Sequence, residues 1–190
     1  EVVVIAQSVG AVMVATWVHD YAPAIRGLVL VSPAFKVKLY VPLARPGLAL
    51  WHRLRGLFFI NSYVKGRYLT HDRQRVASFN NDPLITRAIA VNILLDLYKT
   101  SERIVSDAAA ITLPTQLLIS GDDYVVHRQP QIDFYQRLRS PLKELHLLPG
   151  FYHDTLGEEK RAQAFEKMQS FISRLYANKS QKFDYQHEAR

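Results

Sequence analysis

Cysteine is absent from this 190-residue chain, which removes disulfide staples, thiolate zinc sites and cysteine nucleophiles from consideration. Long apolar runs are missing too, and none approaches the roughly 20 residues that a helix needs to span a bilayer. The histidines at 19, 52, 71, 127, 146, 153 and 187 never form a close pair such as H-x-x-x-H, so no metal site is expected. Repeats and low-complexity tracts are lacking, and no charged-then-apolar leader opens the chain. A cysteine-free sequence is compatible with either redox environment and leaves the compartment open. What is present is the composition of a globular protein, 48% hydrophobic, 11% aromatic and 22% charged, of a length that suits one well-packed core with room for a subdomain.

Four short apolar runs punctuate the chain: Val2 to Ala6, Leu28 to Val31, Gln116 to Gly121 and Lys143 to Leu148. The first is β-branched and continuous, as in a parallel strand buried on both faces. A helix-length apolar segment, Ala11 to Asp20, follows it, and Gln129 to Leu138 and Glu158 to Leu175 carry apolar residues at helical spacing. Strands alternating with helices predict a mainly parallel α/β sheet with right-handed crossovers. Residues 34–110 interrupt the alternation with helical stretches, Pro46 to Ile60 and Asp82 to Asp107, and no comparable strand. They are expected to form an inserted helical cap over a core made of residues 1–33 and 111–177. Residues 178–190 are polar and Lys/Gln-rich and read as a fraying tail or linker. Because the chain opens inside a strand-like run without an initiator Met, it reads as a fragment whose preceding strands lie outside the sequence.

Chemistry concentrates at the ends of these runs. Ala6-Gln7-Ser8-Val9-Gly10 is a relative of the G-x-S-x-G nucleophile elbow, placed between strand and helix as that motif requires. Small flanking residues permit the tight turn that lifts the hydroxyl, and the backbone N–H of Val9 then faces the same space as an oxyanion donor. Ala6 replaces the first glycine. A serine needs a base, and the base needs an acid, in the chain order Ser, acid, His. Asp122 and Asp123 follow the third run and His153 follows the fourth, each at a carboxyl end. By themselves, paired aspartates after a strand are ordinary turn residues and a loop histidine is ordinarily solvated; their arrival in the required order favours a triad of Ser8, one of the two aspartates and His153.

Gln7-Ser8-Val9-Gly10, Ser32-Pro33-Ala34, Gly121-Asp122-Asp123-Tyr124-Val125-Val126 and Gly150-Phe151-Tyr152-His153 together resemble the monoacylglycerol lipase and lysophospholipase group, catalogued with the serine aminopeptidase S33-like hydrolases. The resemblance extends through Tyr68 to Asp72 and Asn81 to Leu84. It implies an α/β-hydrolase fold, present here as its C-terminal part with an inserted cap and without its N-terminal strands. It also implies Ser8 as nucleophile, His153 as base and Asp123, two residues before Val-Val, as acid, with Asp122 in reserve. Asp154 and Glu158 fall where acidic residues commonly follow the base. A second oxyanion donor, in a His-Gly-rich loop, would precede Glu1, so activity is expected of the parent protein rather than of these residues alone.

The implied chemistry is acyl-ester hydrolysis through an acyl-enzyme, with no cofactor and no metal. A peptidase or thioesterase on the same fold, or a non-catalytic binding module, are the alternatives, the last motivated by Ala6. The net charge of +7 is uneven: Phe35 to Arg75 holds nine Lys or Arg and one acid, Asp72, among many apolar residues. Trp51, Leu54 and Phe58 are expected to form a lid that meets the acyl chain, and the arginines to favour transient contact with an anionic membrane surface. A packed cap with a solvated basic face is the plainer alternative. Nucleic acid is not expected as a partner, since no reading module is present.

Overall fold

A computed structural model describes residues 2–187, with side chains described through residue 177. Strand β1 (Val3–Gln7) runs into α1 (Ser8–Tyr21) and β2 (Gly27–Val31); β5 (Thr115–Ser120), α5 (Gln129–Arg137), β6 (Lys143–Leu148) and α6 (Ala162–His187) complete the core. Between β2 and β5 lie α2 (Ala44–Arg55), β3 (Phe59–Asn61), α3 (Arg73–Asn81), β4 (Ala88–Ala90) and α4 (Val91–Ser106). The four core strands form one parallel sheet in the order β1-β2-β5-β6.

Strand periodicity divides the core. Leu28, Leu30 and Leu117 point to one face, where they meet Ala11, Val12 and Ala15 of α1, Ile104 of α4 and Phe134 of α5. Val29, Val31 and Leu118 point to the other, against Met168, Phe171 and Leu175 of α6. β2 and β5 are therefore buried throughout, as their continuous apolar sequences require. Each such Leu or Phe contributes about 1.5–3 kcal/mol by leaving water. Gly27 is forced by this packing, because a Cβ there would stand 2.5 Å from the Leu175 side chain and 3.3 Å from the Pro114 carbonyl oxygen.

Five features differ from the sequence-based expectation. β1 is half-buried rather than buried on both faces, with Ile5 46% exposed, and only β2 pairs with it among the described residues. The predicted helix 46–60 stops at Gly56, whose positive φ ends α2, and the chain continues into β3. The predicted helix 82–107 is shortened to α4, with β4 in place of its start; ahead of it a separate helix, α3, starts from Asp72, whose carboxylate accepts from the Gln74 and Arg75 amides, and ends at Asp82, extended before Pro83. β3 and β4 then pair antiparallel, so the 34–110 segment is not strand-free. Finally, α6 is helical to His187, because residues 178–187 contain neither Gly nor Pro to stop it. The rest of the predicted tail, residues 188–190, lies outside the described residues.

Candidate active site

The turn from β1 into α1 places Ser8 in the left-handed region, with φ +56°. A non-glycine residue there carries strain of order 1–3 kcal/mol, which the surrounding structure must hold. Its hydroxyl lies 2.7 Å from Nε2 of His153. At the end of β5, Gly121 fits against Leu148 and Pro149 so closely that a Cβ would stand 2.8 Å from the Leu148 carbonyl oxygen. That approach brings the next turn beside the loop after β6. Asp123 Oδ1 accepts from the Val125 and Val126 amides at 2.7 and 2.9 Å, and its Oδ2 lies 2.8 Å from His153 Nδ1. Asp122 is exposed and turned away; its amide donates to the Phe151 carbonyl.

Both Asp123 and His153 are buried. Since an ionised carboxylate only accepts, Nδ1 of His153 carries the proton shared with Asp123, and a neutral imidazole then leaves Nε2 to accept from the Ser8 hydroxyl. The two hydrogen bonds thus form a directed chain, in the sense needed to draw a proton from serine. Val9 follows in the first turn of α1, where backbone N–H groups have no intrahelical acceptor.

The loop carrying His153 is fastened by polar groups that sequence reasoning did not assign. Glu158 is 2% exposed, yet accepts from the Tyr152 amide at 2.8 Å and from the His71 amide and its Nδ1 at 3.2 and 3.0 Å. Ser32, Ser120 and Thr155 share hydroxyl hydrogen bonds of 2.8–3.0 Å, and Ser120 donates to the Tyr152 carbonyl. Glu158 left a trace only as a position that follows the base in the resembling group; the hydroxyl cluster left none, since its members come from three separate strand ends.

Ser8, Val9 and His153 open onto a cavity of about 840 Å³. Its apolar wall comes from Met13 and Trp17 of α1 and Ile93, Leu94 and Leu97 of α4, and the carboxylates lining it are Asp20 and Asp96. Trp51, Leu54 and Phe58 do not line it, which corrects their expected place around the acyl chain. α2 has no buried residue, so Trp51 and Leu54 face outward, 50% and 69% exposed. Phe58 is half-buried beside β4, its carbonyl accepting from the Val91 amide.

A mainly parallel sheet flanked by helices, with a strand-to-helix serine turn and an insertion after β2, defines an α/β-hydrolase. The chain belongs to the serine aminopeptidase, S33, family, whose model matches residues 1–160. The uncharacterized protein YnbC of Escherichia coli (strain K12) is 95% identical over 188 residues, which are 99% of this chain but 32% of that protein. The chain thus spans about a third of the length of that relative. Phospholipase YtpA of Bacillus subtilis (strain 168) is 26% identical over 176 residues, 90% of this chain and 67% of its own length. Among solved structures, the monoacylglycerol lipase of Paleococcus ferrophilus superposes with a TM-score of 0.81 at 18% identity, covering 90% of this chain and 68% of the other. A soluble variant of the Saccharomyces cerevisiae monoglyceride lipase, in complex with a substrate analog, gives 0.80 at 16% identity, covering 90% and 61%.

Proposed function

We propose that the protein containing this chain is a serine ester hydrolase acting on neutral or zwitterionic lipid acyl esters, with Ser8 as nucleophile, His153 as general base and Asp123 as the orienting acid. The observation that carries this reading is the Ser8–His153–Asp123 hydrogen-bond chain opening onto a large apolar cavity. In the first half-reaction His153 Nε2 takes the Ser8 proton as Oγ bonds to the acyl carbon. The imidazolium, held by Asp123, then gives that proton to the departing alcohol oxygen. In the second half-reaction His153 deprotonates a water that attacks the acyl-serine, and the acid leaves as Ser8 recovers its proton. The Val9 N–H, in the first turn of a 14-residue helix, suits the developing oxyanion.

The cavity wall supports the substrate class. Met13, Trp17, Ile93, Leu94 and Leu97 offer an acyl chain an apolar surface, while Asp96 would repel an anionic headgroup. Residues 34–110 act in this reading as the cap over the core of residues 1–33 and 111–177. The outward face of α2, with Leu50, Trp51 and Leu54 beside Arg53 and Arg55, suits brief contact with a lipid surface. Fluorophosphonate labelling of the full-length protein, followed by an ester chain-length series with a peptide amide alongside, tests it. Labelling at Ser8 and turnover of long-chain neutral esters are expected. Preference for the amide would move the protein to peptidase chemistry, and absence of labelling would leave a binding module.

A further inference from the structure

We propose that Asp154 is a positioning residue that ties the nucleophile turn, the base loop and the cap into one unit, and thereby holds Ser8 in register with His153. The proposal rests on the serine-hydrolase reading above. Asp154 directly follows the base, and Gln7 directly precedes the nucleophile; Gln7 Nε2 donates to Asp154 Oδ1 at 3.0 Å. The other carboxylate oxygen, Oδ2, accepts from Nε of Arg75, on α3, at 3.1 Å, and the Arg75 Nη2 stands in ion-pair contact with it at 3.1 Å. The Asp154 amide donates to the Leu69 carbonyl at 2.7 Å, a second tie to the cap. Both oxygens and the amide of one residue are therefore engaged with the two segments that must keep station on His153.

The space around this residue is closed as well. A Cβ at Gly157 would stand 2.0 Å from Asp154 Oδ2 and 2.2 Å from Arg75 Nε, so the tight 154–157 turn is compatible only with glycine while the pair is in place. Half-exposed ion pairs contribute little to stability, and the effect expected of this one lies in geometry. Ser8 sits in a strained left-handed turn that can relax in several directions. The Gln7 side chain, anchored on the residue next to the base, restrains that relaxation beside the Ser8–His153 bond itself. Arg75 adds a connection from α3, so that movement of the cap around residues 69–75 is transmitted to both reacting side chains. Glu158 also fastens the base loop to His71, but its contacts are to Tyr152, Thr70, His71 and Glu159 and not to the nucleophile turn.

The test is steady-state ester hydrolysis by the full-length protein carrying Asp154→Ala, Gln7→Leu, the double change, or Asp154→Asn, with Ser8→Ala measured alongside. Each of the first two should lower kcat about 10-fold with KM changed less than about 2-fold, since misplacement of a reacting group costs rate rather than uniform binding. The double variant should be no worse than the more damaged single one, because both remove the same link. Asp154→Asn, whose amide oxygen can still accept from Gln7, should recover most of the loss. Arg161→Ala, which breaks the neighbouring Arg161–Asp72 pair on the same seam, should leave kcat within about 2-fold. Multiplying losses, losses mainly in KM, no recovery in Asp154→Asn, or unchanged kcat in Gln7→Leu would overturn the proposal. Gln7→Leu carries the test if Asp154→Ala fails to fold. An active Ser8→Ala protein would sink the serine-hydrolase reading itself, whereas an inactive one beside unaffected Asp154 and Gln7 variants would sink only this inference.

Discussion

Ser8, His153 and Asp123 come from three strand ends, and each is held by a different local device. Ser8 depends on a left-handed turn, Asp123 on two backbone amides, and His153 on a loop pinned by the buried Glu158. If the three act as a unit, their substitutions cannot be additive. In the full-length protein, Ser8→Ala, His153→Ala and the double variant should each lower ester turnover by a similar factor, of order 10⁴ or more. Asp123→Asn should also lose about 10⁴-fold, because an amide in that place selects the wrong imidazole tautomer. Stopped or discontinuous assays on one soluble ester suffice, and strictly multiplicative losses would dissolve the unit.

At the scale of elements, α1 and α4 share both the cavity wall and a polar clamp at its far end. His19, in the last turn of α1, places Nδ1 2.7 Å from Asp20 and Nε2 2.8 Å from Asp107, which follows α4, while Arg103 of α4 grips both oxygens of Asp20. Hydrogen bonding to Asp20, and then to Asp107, raises the His19 pKa above its ordinary 6.5, against burial and the nearby Arg103 charge. A raised folded-state pKa means stability that is present in full below the ordinary value and lost as pH climbs through the raised one. His19→Gln should therefore lower the melting temperature at about pH 6 and match the parent protein at about pH 9, by calorimetry at both. A constant difference across that range would assign His19 a packing role only.

α2 poses a different problem, since it buries nothing and yet carries Leu50, Trp51 and Leu54, with Arg55 stacked 4.9 Å from the Trp51 ring. Replacing Trp51 and Leu54 with Ser should depress turnover several-fold on micellar long-chain esters and spare short soluble ones, because a lipid interface would offer that face a partner that a soluble ester does not. Activity on anionic vesicles should also fall as the Debye length drops from about 10 Å at 0.1 M salt to about 3 Å at 1 M. Equal losses on all substrates would mean damage to the fold.

For the 190-residue chain taken as a whole, only β2 pairs with β1 among the described residues, which leaves the other edge of β1 without a partner there. Unpaired strand edges template association, and Ile5 at 46% exposure with Val2 at 59% adds apolar surface there. The 190-residue chain purified alone should self-associate, with Ile5→Lys shifting it toward monomer in size-exclusion chromatography with light scattering. A monodisperse monomer without that substitution would show the edge to be protected by its own twist and length.

Legibility from sequence followed the range of the interactions. The four core strands, α1, α5 and most of α6 were readable because burial imposes a period on neighbouring residues, and the order of Ser8, Asp123 and His153 along the chain was readable because strand ends converge in a parallel sheet. Residues 34–110 were less so: a Gly56 helix stop and an Asp72 cap are local signals, but the β3–β4 pairing joins Phe59 to Ala90 across α3, and nothing in either three-residue strand announces its partner. The choice of Asp123 over Asp122 came from the resemblance alone, by its place two residues before Val-Val; its physical reason needed three dimensions, since the Val125 and Val126 amides hold the Asp123 carboxylate inward beside His153. The cavity wall changed from α2 to α1 and α4 for the same reason. A hydrophobic side chain in sequence states that it prefers to leave water, and only the packing of helices on the sheet decides against what.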